Sequence, residues 1–234
     1  MTDPAGRGGD ASRDGRSGSD ARRDPVDGGR AVRRRGPTPT ERRELRGAET
    51  DPDVVLAAAL RFLEARSRSV SEVRRRLRQA GYPSELIEAA IARLTDIGFL
   101  DDAAFARAWL ESRDRARPRG ERALRLELRQ KGVAREVSDA ALDERRDEAA
   151  ERATRAAADD PDAEPAPSVD ETAALRLLER RASQLGRVPD PRVRRQRAYA
   201  LLARNGFDPG VCSAVARRFA AGPDDPVEAE LDGE

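Results

Sequence analysis

Residues 73–91 read VRRRLRQAGYPSELIEAAI, and two later stretches, LRLELRQKGVAREVSDAAL at 124–142 and AYALLARNGFDPGVCSAVA at 198–216, align with it without a gap. Each stretch is a helical run, a glycine (Gly81, Gly132 or Gly206) and a second helical run. A glycine at the end of a helix is what a left-handed residue requires, because only glycine takes positive φ there without steric cost. The residue after it is apolar in all three, Tyr82, Val133 and Phe207, and such a side chain folds back on the helix just ended. Leu77, Leu128 and Leu202 lie four residues before their glycine, and Val73, Leu124 and Ala198 lie a turn earlier, which makes one apolar stripe per helix. Leu86, Val137 and Val211 then open the stripe of the following helix.

A further amphipathic helix precedes each pair: VVLAAALRFLEAR from Val54, DDAAFARAWLESR from Asp101 and DETAALRLLERRASQL from Asp170. The reading is an all-α protein of three tandem three-helix repeats, nine helices in all. Repeat 1 is expected over 51–100, repeat 2 over 101–147 and repeat 3 over 170–220. One repeat is too short to shield its own apolar face well, so neighbours are expected to stack into an elongated, curved array. Residues 1–50 mix Gly, Arg, Asp, Ser and Pro with few large apolar side chains and are expected to be a disordered basic tail. The Pro- and Asp-rich stretch 148–169 is expected to be an exposed insertion, its least ordered part starting near 158, and 221–234 a disordered acidic tail.

Composition removes several classes of function. The chain has no His, so His-based acid–base chemistry, His triads and His metal ligands are excluded. Its single cysteine, Cys212, sits beside Val211 and Val215 in an apolar pattern and reads as a buried small side chain. No glycine loop suited to cradling phosphate is present, and Asp159, Asp160 and Asp162 lack the spacing of a calcium loop. Asp101 and Asp102 read as helix-start residues, one of them capping. No catalytic residue, metal or cofactor is expected. The amino terminus carries no apolar run and no stretch has the length of a membrane span, so a cytoplasmic protein without membrane contact is expected.

With 45 basic and 44 acidic residues, no global field draws the chain to a polyanion, so any such site must be local. Local excess exists. Between Val54 and Ala80 seven Arg stand against two Glu, between Ser112 and Lys131 eight basic residues against three acidic, and between Arg176 and Arg204 nine Arg against two acids. Arg74 and Arg78, and at equivalent positions Arg125 and Arg129, are one turn apart and share a face; repeat 3 has Tyr199 and Ala203 there, with Arg194, Arg195 and Arg197 a turn earlier. A recurring basic track suits DNA phosphates or acidic patches on a protein filament, and solvated helix surface balanced by nearby Glu is the competing reading. Phe105 and Trp109 share a helical face and read as core rather than as a base-stacking platform. The run Arg33, Arg34 and Arg35 reads as solvated charge.

The order of these pieces resembles the RecX family. The resemblance runs through ALRFLEARSRSVSEVRRRLRQAGY, IARLTDIGFLDDAAFARAWLESR, RPRGERALRLELRQKGV and RQRAYALLARNGF, with GlyPheLeuAspAsp and the following PheAla (Gly98–Ala106) the most specific element, and covers residues 52–220 apart from the insertion. It implies three repeats of a three-helix unit, and a monomeric regulator of the RecA recombinase in DNA repair, recombination and the SOS response. Such a protein lodges in the groove of the RecA–DNA filament and restrains strand exchange, ATP hydrolysis and coprotease activity, meeting DNA weakly or through the filament. The matching contact residues are Arg74, Arg75 and Arg78, then Arg125 and Arg129, then Arg194 and Arg195. The long amino-terminal tail and interrupted third repeat depart from a compact member. Two other classes stay open: a DNA-binding protein acting without RecA, for which helix–Gly–helix resembles a helix-turn-helix, and a helical scaffold for another acidic protein.

Overall fold

The computed structural model describes residues 36–160 and 165–221, all helix and connecting turn. Eleven helices follow in order: α1 (Pro39–Gly47), α2 (Pro52–Leu63), α3 (Val70–Ala80), α4 (Ser84–Asp96), α5 (Asp102–Ala116), α6 (Glu121–Gln130), α7 (Arg135–Asp159), α8 (Val169–Glu179), α9 (Ala182–Leu185), α10 (Pro191–Arg204) and α11 (Pro209–Ala220). Repeat 1 is α2–α4, repeat 2 is α5–α7, and repeat 3 is α8, α10 and α11 with the one-turn α9 between the first two.

The glycines behave as the sequence requires. Gly81, Gly132 and Gly206 have φ of 99°, 77° and 81°. The N–H groups of Tyr82, Val133 and Phe207 donate to the carbonyls of Leu77, Leu128 and Leu202 at 3.3, 3.1 and 3.3 Å, the six-to-one bond of a Schellman end. Val133 and Phe207 are buried after that bond, and Tyr82 is half-buried against repeat 1. Local chemistry starts the helices: Ser69 and Glu72 form a capping box on α3, Ser168 and Glu171 one on α8, and Asp190 with Pro191 opens α10.

Four expectations are corrected. Pro39–Gly47, placed in the disordered tail, is the helix α1, started by a Thr38–Glu41 capping box and Pro39. The Arg33–Arg35 run and the rest of 1–35 lie outside the described residues, as do 161–164 and 222–234. Second, α7 continues to Asp159 instead of ending before 148, because the residue equivalent to Gly98 is Ala149: Gly98 (φ 75°) stops α4, whereas alanine favours more helix. Third, the helix expected from Asp170 to Leu185 breaks after Glu179, where Arg180 reaches away to the carbonyls of Arg115, at 2.7 Å, and Ala116.

Fourth, each repeat, expected to be too short to shield its own apolar face well, has an apolar core of its own. Val55, Val73, Leu77, Ile87, Leu94 and Leu100 pack in repeat 1; Phe105, Leu110, Leu124, Leu128 and Leu142 in repeat 2; Leu178, Leu202, Phe207, Cys212 and Val215 in repeat 3. Three helices meeting at a tight glycine turn bury their stripes without help from a neighbour. Polar joints connect the repeats. At the first joint Ser69 Oγ donates to the Lys131 carbonyl at 2.6 Å, Asp102 accepts the Val70 N–H at 2.9 Å, and Lys131 Nζ meets Glu72 at 2.9 Å. At the second, Gly120 N–H donates to Asn205 at 3.1 Å, Arg122 N–H to Gly206 at 3.2 Å, and Asp170 accepts the Glu121 N–H at 3.2 Å. In both, the carbonyl end of one second helix meets the N–H end of the preceding repeat's second helix, which aligns the helix dipoles head to tail.

The acidic pair in GlyPheLeuAspAsp divides between two helices: Asp101 accepts from Ala103 and Ala104 N–H and caps α5, whereas Asp102 caps α3 of the previous repeat. Burial raises the Asp102 pKa, aided by the charge of Asp101 and opposed by the Val70 N–H and Arg74. Glu72 shifts the other way: burial pushes it up, but Lys131, the Ser69 N–H and Arg66 together outweigh burial and hold it below its ordinary value. Because the folded Glu72 pKa lies below the unfolded one, its contribution is present above the ordinary carboxylate range, about pH 4, and is lost as pH falls through the folded value; Asp102 has the opposite sign. We expect Glu72→Gln to flatten the acid limb of a plot of urea midpoint against pH, and an unchanged limb would show that this joint does not sense protons.

Candidate binding surface

The seven arginines implicated by sequence separate into two groups. Arg74 on α3 is held by Glu88 of α4, with Nε and Nη2 at 2.8 and 2.7 Å, and Arg78 comes within 3.6 Å of the same carboxylate. Arg125 on α6 repeats the arrangement with Asp139 of α7 at 2.7 Å, adding Glu121 at 2.7 Å. These are equivalent bonds, arginine to a carboxylate fourteen residues on, tying the second helix of a repeat to the third. Their bonds raise the arginine pKa values, the Glu88 bond acting first on Arg74 and the Asp139 bond on Arg125, and lower those of Glu88 and Asp139. Repeat 3 has Tyr199 and Ser213 at these positions, so the tie is absent there. Arg194 turns inward, donating to the carbonyls of Val188 and Pro189 at 3.3 and 3.4 Å.

Arg75, Arg129 and Arg195 form the other group. All three are exposed, and among the described residues no carboxylate lies within 4.0 Å of them. Arg122 and Arg192 are in the same condition and were not singled out from sequence, because a charge count does not distinguish a paired arginine from a free one. On α6, Arg122, Leu126 and Arg129 fall at spacings of four and three and share the outer face, where Leu126 is 43% exposed. The structure brings Arg74 and Arg78 together on Glu88 but distributes the remaining residues over three repeats. None of the seven lines the two clefts beside α5 and α7. This is an open surface of separated guanidinium groups, each able to offer a planar fork to phosphate or carboxylate.

Trp109 does not offer a free ring. It stacks on buried Phe105 at 6.0 Å, Arg113 and Lys131 lie 4.2 and 4.8 Å from its centroid, and its Nε1 donates to Glu127 at 2.9 Å. Lys131, the sole lysine, thus serves the first joint. Cys212 is fully buried, and burial raises its thiol pKa, with the charge of Asp208 adding to the effect. Among the described residues no cluster of metal-ligating side chains occurs, and no helix is long and apolar enough to cross a membrane.

Three family models match in succession: the first three-helix domain of RecX at 56–94, the second at 101–142 and the third at 169–215. The chain is 33% identical over 162 residues to "Regulatory protein RecX" of Thermobifida fusca, covering 69% of this chain and 76% of that protein. It is 45% identical over 86 residues to the protein of the same description in Mycolicibacterium vanbaalenii, covering 37% of this chain and spanning about half (47%) of that relative. The crystal structure of RecX from Lactobacillus salivarius superposes with a TM-score of 0.57 at 18% identity, covering 72% of this chain and 96% of that one, a likeness of fold. With the repeat architecture and its three matched domains agreeing, the chain belongs to the RecX family.

Proposed function

We propose that this protein is a non-enzymatic modulator of the RecA recombinase that binds the RecA–DNA filament groove and restrains recombinase, ATPase and coprotease activity. The observation that carries the reading is the set of exposed arginines without carboxylate partners among the described residues, Arg75, Arg129 and Arg195, one in each repeat though at different repeat positions, in a chain of net charge +1. Separated guanidinium groups on successive repeats suit a partner whose acidic groups are spread along its length, as in a protein–DNA filament. A near-neutral chain lacks the global field that drives tight stand-alone DNA binding, which favours the filament over bare DNA. The chain acts here as a monomer inside the cell. Co-sedimentation with RecA filaments on single-stranded DNA tests this: retention on the filament, with far weaker retention on DNA alone, is expected. Equal retention on bare DNA would make the protein an independent DNA binder.

A further inference from the structure

The two joints between repeats are built differently. The connection from α4 to α5 is a short turn through Gly98, and Leu63 and Leu94 fill the interior of repeat 1 beside it. The connection from α7 to α8 is longer, carrying α7 on to Asp159 before α8 begins at Val169. At the position equivalent to Leu94 stands Arg145, and at that of Leu63 stands Asp114. Arg145 is only 8% exposed, yet it is charged at every contact: Nε and Nη2 lie 2.8 Å from the two oxygens of Asp114 on α5, and Nη1 lies 2.9 Å from Asp170 on α8. Burial opposes the charge, but Asp114 and then Asp170 outweigh it and raise the Arg145 pKa. Asp170 spends its other oxygen on the Glu121 N–H, so one carboxylate fastens repeat 3 both to α7 and to the start of α6.

Beside this triad the repeats do not close on each other. A cleft of about 790 Å³ separates Glu111, Ala149 and Ala153 on the repeat 2 side from Val169, Thr172 and Arg176 on α8. Among the described residues no buried apolar cluster spans the joint, so repeat 3 is held by hydrogen bonds and ion pairs at three places: the backbone pairs of Gly120 and Arg122 with Asn205 and Gly206, joined by Arg119 on the Asn205 side chain; the exposed bonds of Arg180 to the carbonyls of Arg115 and Ala116; and the Arg145 triad, the one of the three built on a buried charge. We propose that this junction is a latched hinge: Asp114–Arg145–Asp170 fixes repeat 3 against repeat 2, and release of Arg145, which leaves only the solvent-exposed Arg180 bonds to the Arg115 and Ala116 carbonyls on that side, lets repeat 3 turn as a body about the Gly120–Gly206 backbone contact, with the cleft as room for the movement. A packed body with its own core moves whole, and a buried ion pair gives two discrete arrangements, made and broken. This goes beyond the binding reading and stands without it.

The test is a distance distribution by double electron–electron resonance on the full chain, with spin labels at exposed Ser112→Cys and Ser213→Cys in a Cys212→Ala background. Labels at Ala89→Cys and Ser112→Cys across the first joint serve as control. The latched protein gives one narrow distance for each pair. With Arg145→Gln the 112–213 distribution broadens or splits and the 89–112 distance does not change. Should Arg145→Gln not fold, Asp170→Asn, which keeps the Asp114–Arg145 pair and an acceptor for Glu121, produces the same broadening. Asp114→Leu with Arg145→Met, copying the apolar pair of repeat 1, repairs the interior of repeat 2 but leaves the joint loose. A 112–213 distance that stays narrow in folded Asp170→Asn, or that the Leu–Met pair restores to one narrow value, overturns the latch.

Discussion

Gly206→Ala is expected to destabilise repeat 3 by about 2–5 kcal/mol, combining about 1–2 kcal/mol for a left-handed alanine with about 1–3 kcal/mol for overpacking. The first part follows from φ of 81°; the second follows from the approach of the two repeats, because a Cβ on Gly206 would stand 2.6 Å from both the backbone nitrogen and the Cβ of Ala123. Neither neighbour is the end of a flexible side chain, so α6 and the Gly206 turn must part. The natural comparison is Gly98→Ala, where φ is 75° but a Cβ meets nothing within 4 Å. Urea denaturation of the two variants separates the effects: Gly98→Ala carries the backbone cost alone, and Gly206→Ala exceeds it. Equal midpoints would mean that the second joint is not as close as described. Since repeat 3 has its own core, amide exchange in Gly206→Ala should quicken first in α10 and α11 and leave α2–α4 protected.

The second large effect is on binding. Reversing three of the free arginines together, Arg75→Glu, Arg129→Glu and Arg195→Glu, is expected to raise the concentration needed for half-maximal restraint of RecA by about 100-fold, each interface arginine being worth roughly a factor of five. The melting temperature should hardly move, because these side chains are exposed and hold no carboxylate among the described residues. Reversing Arg74 and Arg125 should do the opposite: those side chains bond Glu88 and Asp139, so a glutamate there faces a carboxylate within its own repeat and lowers stability. The contrast separates contact from support. Loss of RecA restraint in the Arg74 and Arg125 pair at unchanged stability, with the triple variant fully active, would reverse the two groups.

The fold was legible because its punctuation is local. Gly81, Gly132 and Gly206, the apolar residue after each and the leucine four before determine both the helix end and its packing, and all three recur in the chain without a gap. The start of α1 was also written locally, as Thr38 followed by Glu41, but a helix without one buried residue leaves no apolar stripe to read. The length of α7 was hidden by an absence, Ala149 where repeat 1 has Gly98. The expectation that one repeat cannot shield its own apolar face failed for a different reason: apolar periodicity tells which face is buried and not whether a neighbour or the repeat itself buries it. The joints stayed unread because their partners are distant in sequence; Arg145 meets carboxylates 31 and 25 residues away. The arginine ties were closer to view, since Arg74 with Glu88 and Arg125 with Asp139 are equivalent in the ungapped repeats. The charge count alone gave paired and free arginines equal weight.

Whether the protein acts on the RecA filament, as proposed, is decided by ATP hydrolysis by RecA on single-stranded DNA, titrated with the protein at substoichiometric amounts, with DNA binding by the protein alone measured in the same buffer. Inhibition well below the amount needed to coat the DNA is expected. No change in hydrolysis up to equimolar protein, together with strong binding to DNA alone, would contradict it.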